Sequence, residues 1–442
     1  MKPNSYLLKS IIVGALGGLL FGFDTAVIAG TTHSLTSVYS LTPGQLGFTV
    51  SSALWGTVIG ALFAGIPGQK IGGRDTLRIT AVLYVLSACG CALAWNWPSF
   101  VLFRFIGGLG IGASSVVGPV YLAELAPAKM RGRLVGIFQI NIVVGILIAY
   151  LSNYLISRIQ IGSTEWRWQL GVAAVPAVFF LLMLLGIPQS PRWLVTKGRT
   201  KEAGTVIGLL GNPDGEAELQ EIVNSLSFTS KTQSEPLFSR KYKVPILLAV
   251  SLAMFNQLAG INAILYYLTD IFSLAGFSTI SGNLQAVAIG ATNLLFTLLA
   301  MTVIDKLGRK TLLLIGAVGM AACLSGVAVI LYTQQHKSRL LMLLVAYIAF
   351  FAISQGAVIW VYLSEIFPNR VRAKGQSLGS GTHWVMNAMI SALFPLFAAR
   401  SGAYPFIFFA VMMVVQFFVV LFFFPETKGV TLEQLQQKLA VD

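Results

Sequence analysis

The chain has 442 residues, of which 56% are hydrophobic and only 10% charged, with a formal net charge of +14. A soluble globular chain carries about 25% charged residues, and a disordered one needs low hydrophobicity, so both are excluded. What remains is an integral membrane protein. Its long, evenly apolar runs also exclude an outer-membrane barrel, whose strands alternate over roughly 10 residues.

A spanning helix needs about 20 apolar residues. Runs of this kind predict twelve spans, near 7–30, 46–66, 77–96, 99–123, 133–157, 168–187, 244–269, 281–304, 311–332, 340–366, 375–399 and 404–424. Glycine and proline inside them, as at Gly107, Gly108 and Pro119, do not rule out helix, because membrane helices tolerate both. The polar stretch between the sixth and seventh spans includes an acidic segment of helical character, Asp214 to Leu226. The expected organisation is an N-terminal six-helix half over 1–187 and a cytoplasmic linker with short helices over 188–243. A C-terminal six-helix half over 244–424 and a cytoplasmic tail over 425–442 follow.

The basic residues sort by loop. Of the 30 Lys and Arg, 24 fall in the termini, the linker and the loops after even-numbered spans, five fall on the other side, and Arg104 lies inside a span. The positive-inside rule therefore puts both termini and the linker in the cytoplasm. The basic excess is topological, and no nucleic-acid partner is expected. The first span resembles a signal peptide but is too long and lacks a cleavage site, so it reads as retained. Short outer loops and the absence of an N-x-[ST] sequon fit a bacterial inner membrane. Cys89, Cys91 and Cys323 sit in spans without a zinc spacing and read as structural thiols. Neither a metal nor a cofactor is expected, and no nucleophile motif points to an enzyme.

The halves repeat each other. Tyr121-Leu-Ala-Glu124-Leu-Ala-Pro127-Ala-Lys-Met-Arg131 matches Tyr362-Leu-Ser-Glu365-Ile-Phe-Pro368-Asn-Arg-Val-Arg372. Gly72-Gly73-Arg74-Asp75-Thr76-Leu77 echoes Gly308-Arg309-Lys310-Thr311-Leu312. Each pair falls in equivalent loops, after spans 4 and 10 and after spans 2 and 8. Two six-span halves related by duplication are the architecture of major facilitator transporters, with the ligand near the midplane between them.

Two charged residues lie well inside apolar spans: Asp24 in span 1 and Arg104 in span 4. A lone ionised group at mid-bilayer costs about 3 kcal/mol or more and is retained where it is paired, wet or functional. Burial and a nearby cation pull a carboxyl in opposite directions, which can poise it to titrate near neutral pH. The functional reading is a proton site gated by Arg104; the structural one is a static buried pair.

Other spans carry amides and aromatics: Gln139 and Asn141 in span 5, Asn256, Gln257, Asn262, Tyr266 and Tyr267 in span 7, and Asn293 in span 8. Trp360, His383, Trp384 and Asn387 in spans 10 and 11 complete the set. Amides both donate and accept, which suits vicinal hydroxyls, and a Trp ring can cover the apolar face of a pyranose. Singly, each amide reads equally as interhelical glue. His383 reads as a neutral core residue, a ligand contact or a second titrating group.

The ordered motifs resemble the sugar porters of the major facilitator superfamily over nearly the whole chain. The landmarks are Gly-Phe-Asp24, Arg104-Phe, Glu124 with Arg131-Gly-Arg133, Pro188-Gln-Ser-Pro-Arg192-Trp-Leu and Gln257-x-x-Gly260-x-Asn262. Asp305-Lys-Leu-Gly308-Arg309-Lys310, Glu365 and Pro425-Glu426-Thr-Lys-Gly429 complete them. The pattern is closest to bacterial proton-coupled sugar symporters of the xylose type, with Asp24 and Arg104 as the proton-coupling pair. The resemblance implies sugar contacts at Gln139, Asn256, Gln257, Asn262, Asn293, Trp360, His383, Trp384 and Asn387. It also implies a cytoplasmic charge network of Glu124, Arg131, Glu365, Arg372, Arg309 and Glu426 that latches the halves. Departures stand at Asn256, His383, Ala357, Gln69, Gly73 and Gln189; the last three predict a weaker latch and an inward-leaning resting state.

The expected function is secondary active import of a monosaccharide with a proton by alternating access, in a monomer whose other partner is membrane lipid. The alternatives are a passive sugar or polyol facilitator and, more remotely, a sugar sensor. The roughly 18 residues after span 12 weigh against the sensor.

Overall fold

The computed structural model describes residues 5–125, 131–210, 215–229, 235–368, 370–430 and 434, with no side-chain detail at 5, 7, 131–135 and 225–229. Every described element is helical. Eleven of the twelve predicted spans are long and apolar enough to cross a membrane: spans 1 to 6 are Leu8–Gly30, Pro43–Phe63, Gly73–Ala92, Trp97–Leu125, Gly136–Ile159 and Glu165–Leu184. Spans 7 to 10 and 12 are Arg240–Tyr266, Thr279–Leu307, Arg309–Thr333, Lys337–Glu365 and Tyr404–Phe423. Span 11 is the helix Arg372–Ala398. Its length is ample, but Arg372, Lys374, His383 and Asn387 make it too polar to count by apolarity among the described residues.

The chain divides into two compact units. One holds Met1–Ala26, Trp55–Ala149 and Trp166–Gln233; the other holds Val27–Leu54, Tyr150–Glu165 and Ser234–Asp442. This division departs from a cut at the linker. The ends of spans 1, 2 and 5 remote from the termini cluster with the later spans, while the linker helices Pro191–Thr196, Thr200–Leu209 and Gly215–Thr229 cluster with the early ones.

In the first unit the helix backbones approach closely. A Cβ placed on Gly22 would stand 1.8 Å from the carbonyl oxygen of Ile142, so spans 1 and 5 meet backbone to backbone there. Lipid tails are as apolar as Leu, and such small-residue seams are how membrane helices gain packing contacts. Tyr84, Tyr121, Phe180 and Leu184 belong to the buried core of this unit. The linker joins it through Leu194 and Ala203. Ser190 caps the first linker helix by accepting from the Trp193 amide at 3.3 Å, with Pro191 at the first turn, the arrangement that satisfies orphan amides at a helix start.

In the second unit span 7 is broken, which its reading as one long hydrophobic span concealed. Its first helix ends at Leu258, Gly260 takes φ +84°, Ile261–Tyr266 forms a second segment and Leu268–Leu274 a third. Span 10 contains a π-helical turn at Ala352–Gly356. A widened turn of this kind often marks a functional site, and here it precedes Ala357 without a proline. The remote ends of spans 1 and 5 are tied to span 7 within this unit. The Tyr150 hydroxyl donates to the Leu265 carbonyl at 2.8 Å, and the Thr269 hydroxyl donates to the Ala29 carbonyl.

Candidate functional site

Asp24 and Arg104 face each other in the first unit, with exposures of 6% and 2%. Arg104 Nη1 donates to Asp24 Oδ1 at 3.3 Å and to the Asp24 carbonyl at 3.4 Å. This is one nitrogen reaching one carboxylate oxygen, not the two-pronged fork that makes Arg–carboxylate pairs strong. Asp24 Oδ2 and Arg104 Nε are enclosed with no hydrogen-bond partner among the described residues. Gly107 makes room beside the carboxylate: a Cβ there would lie 2.3 Å from Ser87 Oγ and 3.5 Å from Asp24 Oδ2. Gln139 lies half-buried on span 5 of the same unit.

The second unit gathers most of the other predicted residues into one network centred on Gln257. Gln257 Oε1 accepts from Asn262 Nδ2 at 3.0 Å, and its Nε2 donates to Asn256 Oδ1 at 3.1 Å. The same Nε2 lies 3.2 Å from both ring nitrogens of His383. The break at Gly260 lets Asn262 reach back to Gln257. His383 sits between two indoles, its ring 5.2 Å from that of Trp360 and 5.2 Å from that of Trp384. Four residues further along, on the same helix face, Asn387 Nδ2 donates to the Tyr266 hydroxyl at 3.2 Å, and Ser391 Oγ donates to Asn387 Oδ1 at 3.2 Å. Trp360 is 38% exposed while Trp384 is 7% exposed, so one indole is free to cover a ligand and the other is part of the wall. Asn293 is buried in span 8, and among the described residues no hydrogen bond joins it to this network.

Sequence reasoning missed the support behind the network. Asn256 Nδ2 donates to the Gln355 carbonyl in the π turn at 3.4 Å, and Gln355 Nε2 donates to Gln416 Oε1 at 2.6 Å. Both glutamines are fully buried. Amides in the apolar runs of spans 10 and 12 were the signal that could have found them.

At the ends of the spans nearest the termini, one frame is built twice. In the second unit Arg309 bridges Glu365 at 2.9 Å and Asp305 at 2.9 Å. Glu426 Oε1 accepts from the Arg309, Thr427 and Lys428 amides at 2.9, 2.9 and 3.0 Å, and Oε2 from the Lys310 amide at 3.1 Å. Burial opposes its charge, but these backbone donors outweigh burial and hold the carboxyl below its ordinary range. In the first unit Gln189 occupies the equivalent place. Its Oε1 accepts from the Arg74 amide at 3.1 Å, while Nε2 donates to the Ile71 carbonyl at 3.0 Å and to Asp75 Oδ2 at 3.3 Å. Gly72 and Gly308 carry matching backbones, φ +92° and +91°, against these two side chains. Tyr121 and Tyr362 donate to the carbonyls of Pro188 and Pro425.

The expected charge network is therefore only partly assembled. Among the described residues Glu124 makes no ion pair with an Arg from the loop after span 2, where Gly73 stands at the place of Arg309 in the repeat; it bonds Ser190 and feels Arg192 instead. Arg372 makes no ion pair among the described residues: its Nε donates to the Phe367 carbonyl at 3.2 Å and its Nη2 is enclosed without a partner. The Arg131 side chain lies outside the described residues.

The chain matches the model of the family described as "Sugar (and other) transporter" over residues 10–439. It is 38% identical to the D-xylose-proton symporter of Escherichia coli K12, covering 98% of this chain and 96% of that protein. It is 35% identical to the arabinose-proton symporter of Bacillus subtilis, covering 99% and 98%. The inward-open structure of the xylose transporter XylE from E. coli superposes with a TM-score of 0.88 at 36% identity, covering 98% of this chain and all of that one. With the repeated frames, the broken seventh span and full-length similarity in agreement, the chain belongs to the sugar transporter family and has the major facilitator fold.

Proposed function

We propose that this protein imports a monosaccharide together with a proton by alternating access. Both termini and the linker would face the cytoplasm of a bacterial inner membrane, as the distribution of basic residues requires. The relatives named above are proton-coupled pentose symporters, which supports both the substrate class and the coupling. The observation that carries the coupling is the single-point contact between Asp24 and Arg104. Protonating Asp24 removes its charge, and with it the ion pair, so the two protonation states hold spans 1 and 4 differently.

The Gln257 network supplies the sugar site. Its amides present donors and acceptors in both directions, so each can pair with a hydroxyl that donates and accepts in turn. Trp360 covers the apolar face of the ring. Asn293 and Asn387 add further polar contacts. Sugar and proton couple because both bias the same equilibrium between two access states.

Proteoliposomes with an inward proton gradient test this reading. Labelled xylose, arabinose, glucose and inositol are offered to wild type and to Asp24→Asn. Uptake above equilibrium that is lost in the variant, with counterflow exchange preserved, is the expected result. Equilibrating uptake in both would make the protein a passive facilitator.

A further inference from the structure

Asp270 has no role in the mechanism above, yet it sits in the seam that closes one end of the second unit. It lies on Leu268–Leu274, the segment of span 7 beyond its second break. Its carboxyl is hydrogen-bonded by Thr32, on the helix Thr32–Tyr39 that follows span 1. Its Oδ2 is enclosed with no partner among the described residues. The neighbouring residue, Thr269, donates to the Ala29 carbonyl across the same seam.

Among the described residues, no cation pairs with this carboxylate. The ionisable groups on the surrounding elements are Tyr266 and Tyr267 on span 7, His33 and Tyr39 on the helix that carries Thr32, Tyr150 on span 5, and Lys337 and Arg400 beyond the end of the segment. None forms an ion pair with Asp270 among the described residues. The half of span 8 that packs here, Thr279 to Asn293, carries no ionisable side chain.

Counting hydrogens shows which protonation state fits. The Thr32 hydroxyl has one hydrogen and also lies 3.4 Å from the Ala29 carbonyl. Against an ionised Asp270, that hydrogen must go to the carboxylate. Against a protonated Asp270, the acid can donate to Thr32, and Thr32 can donate to Ala29. The neutral acid thus leaves no uncompensated charge in the closed seam, and the ion suits a seam that has parted and filled with water.

We propose that Asp270 is a second proton-binding site, a gate lock on the outer face: protonated, it holds the remote ends of spans 1 and 7 together, and ionised, it lets them part. The inference rests on the alternating-access reading, in which this seam is the external gate. Protons bind more tightly to the closed gate than to the open one, so external acid favours closure by linkage. A difference of one pH unit in that affinity shifts the gate equilibrium about tenfold. The proton enters from outside and returns outside when the gate reopens, so it adds nothing to the transport stoichiometry.

Distances between spin labels across the gate test this. Labels at Ser37→Cys and Gln335→Cys, with Cys89, Cys91 and Cys323 replaced by Ser, are read in an Asp24→Asn background so that Asp24 does not titrate. The expected result is a shift toward longer distances as pH rises from about 5.5 to 8.5, which is lost on adding Asp270→Asn, where the short distance persists throughout. A shift that survives Asp270→Asn, or no shift in the parent, overturns the gate lock. A sugar-induced distance change in each variant shows that the protein is folded and the gate moves. If sugar moves the gate and pH does not, only the gate lock fails; if sugar leaves it fixed, the alternating-access reading fails with it.

Discussion

The duplicated frame predicts opposite needs at two equivalent positions. Glu426 and Gln189 each sit against a glycine at φ near +90° and face the start of the next span. Glu426 accepts four backbone amides and donates nothing. In Glu426→Gln the amide oxygen can keep the three donors on Oε1, but its NH₂ then points at the Lys310 N–H. One unsatisfied donor and the loss of charge assistance together cost about 2–4 kcal/mol. Gln189 uses both ends of its amide, and its Nε2 lies 3.3 Å from Asp75 Oδ2. Gln189→Glu would strengthen the bond from the Arg74 amide by about 1 kcal/mol, but it abandons the Ile71 carbonyl and sets two carboxylates together. The net loss is about 1–2 kcal/mol. Melting of detergent-purified protein ranks the variants; such unfolding is generally irreversible, so order is read and not free energy. Both single variants should melt below wild type, and Asp75→Asn should lessen the defect of Gln189→Glu. A Gln189→Glu protein that melts above wild type would refute the reasoning.

Other perturbations follow from the same geometry. Because Glu426 is held below its ordinary value of 4.5, its stabilisation is complete above that pH and is lost as pH falls through the lower folded value. The melting gap between wild type and Glu426→Gln should therefore be constant from neutral pH to about 5 and close at more acid pH. Arg104→Leu leaves Asp24 enclosed without a partner and should destabilise the protein by about 3–5 kcal/mol. The double variant with Asp24→Asn should recover part of that loss, as read by melting. Gln257→Ala removes the hub that joins Asn256, Asn262 and His383, and should weaken sugar binding about tenfold to a hundredfold, measured by tryptophan fluorescence quenching.

The sequence carried the gross architecture because the bilayer leaves few choices: long apolar runs, sorted cations and a repeated loop motif led to the two-fold helical design. It carried Asp24, Arg104 and the amides because polar groups stand out where apolar ones are the rule. What it concealed depended on backbone geometry or on three-dimensional neighbours. The break at Gly260 is a single positive φ inside one long hydrophobic span, and the π turn at Ala352–Gly356 has no proline to announce it. Arg372 matched a repeated motif, yet its guanidinium meets a backbone carbonyl and, among the described residues, no carboxylate. Gln189 looked like the loss of a charge. Asp75 lies beside it, and an amide that donates is the better fit there. Asp270 stood one residue past a predicted span, so nothing in the pattern marked it as enclosed.

The central claim is that a proton bound at Asp24 moves with the sugar. The most direct measurement is the external pH of a lightly buffered suspension of de-energised proteoliposomes on addition of xylose. The account predicts an immediate alkalinisation with wild type, abolished by a protonophore and absent in Asp24→Asn, while sugar exchange continues in the variant. Sugar entry without a pH change in wild type, or an undiminished change in Asp24→Asn, would contradict it.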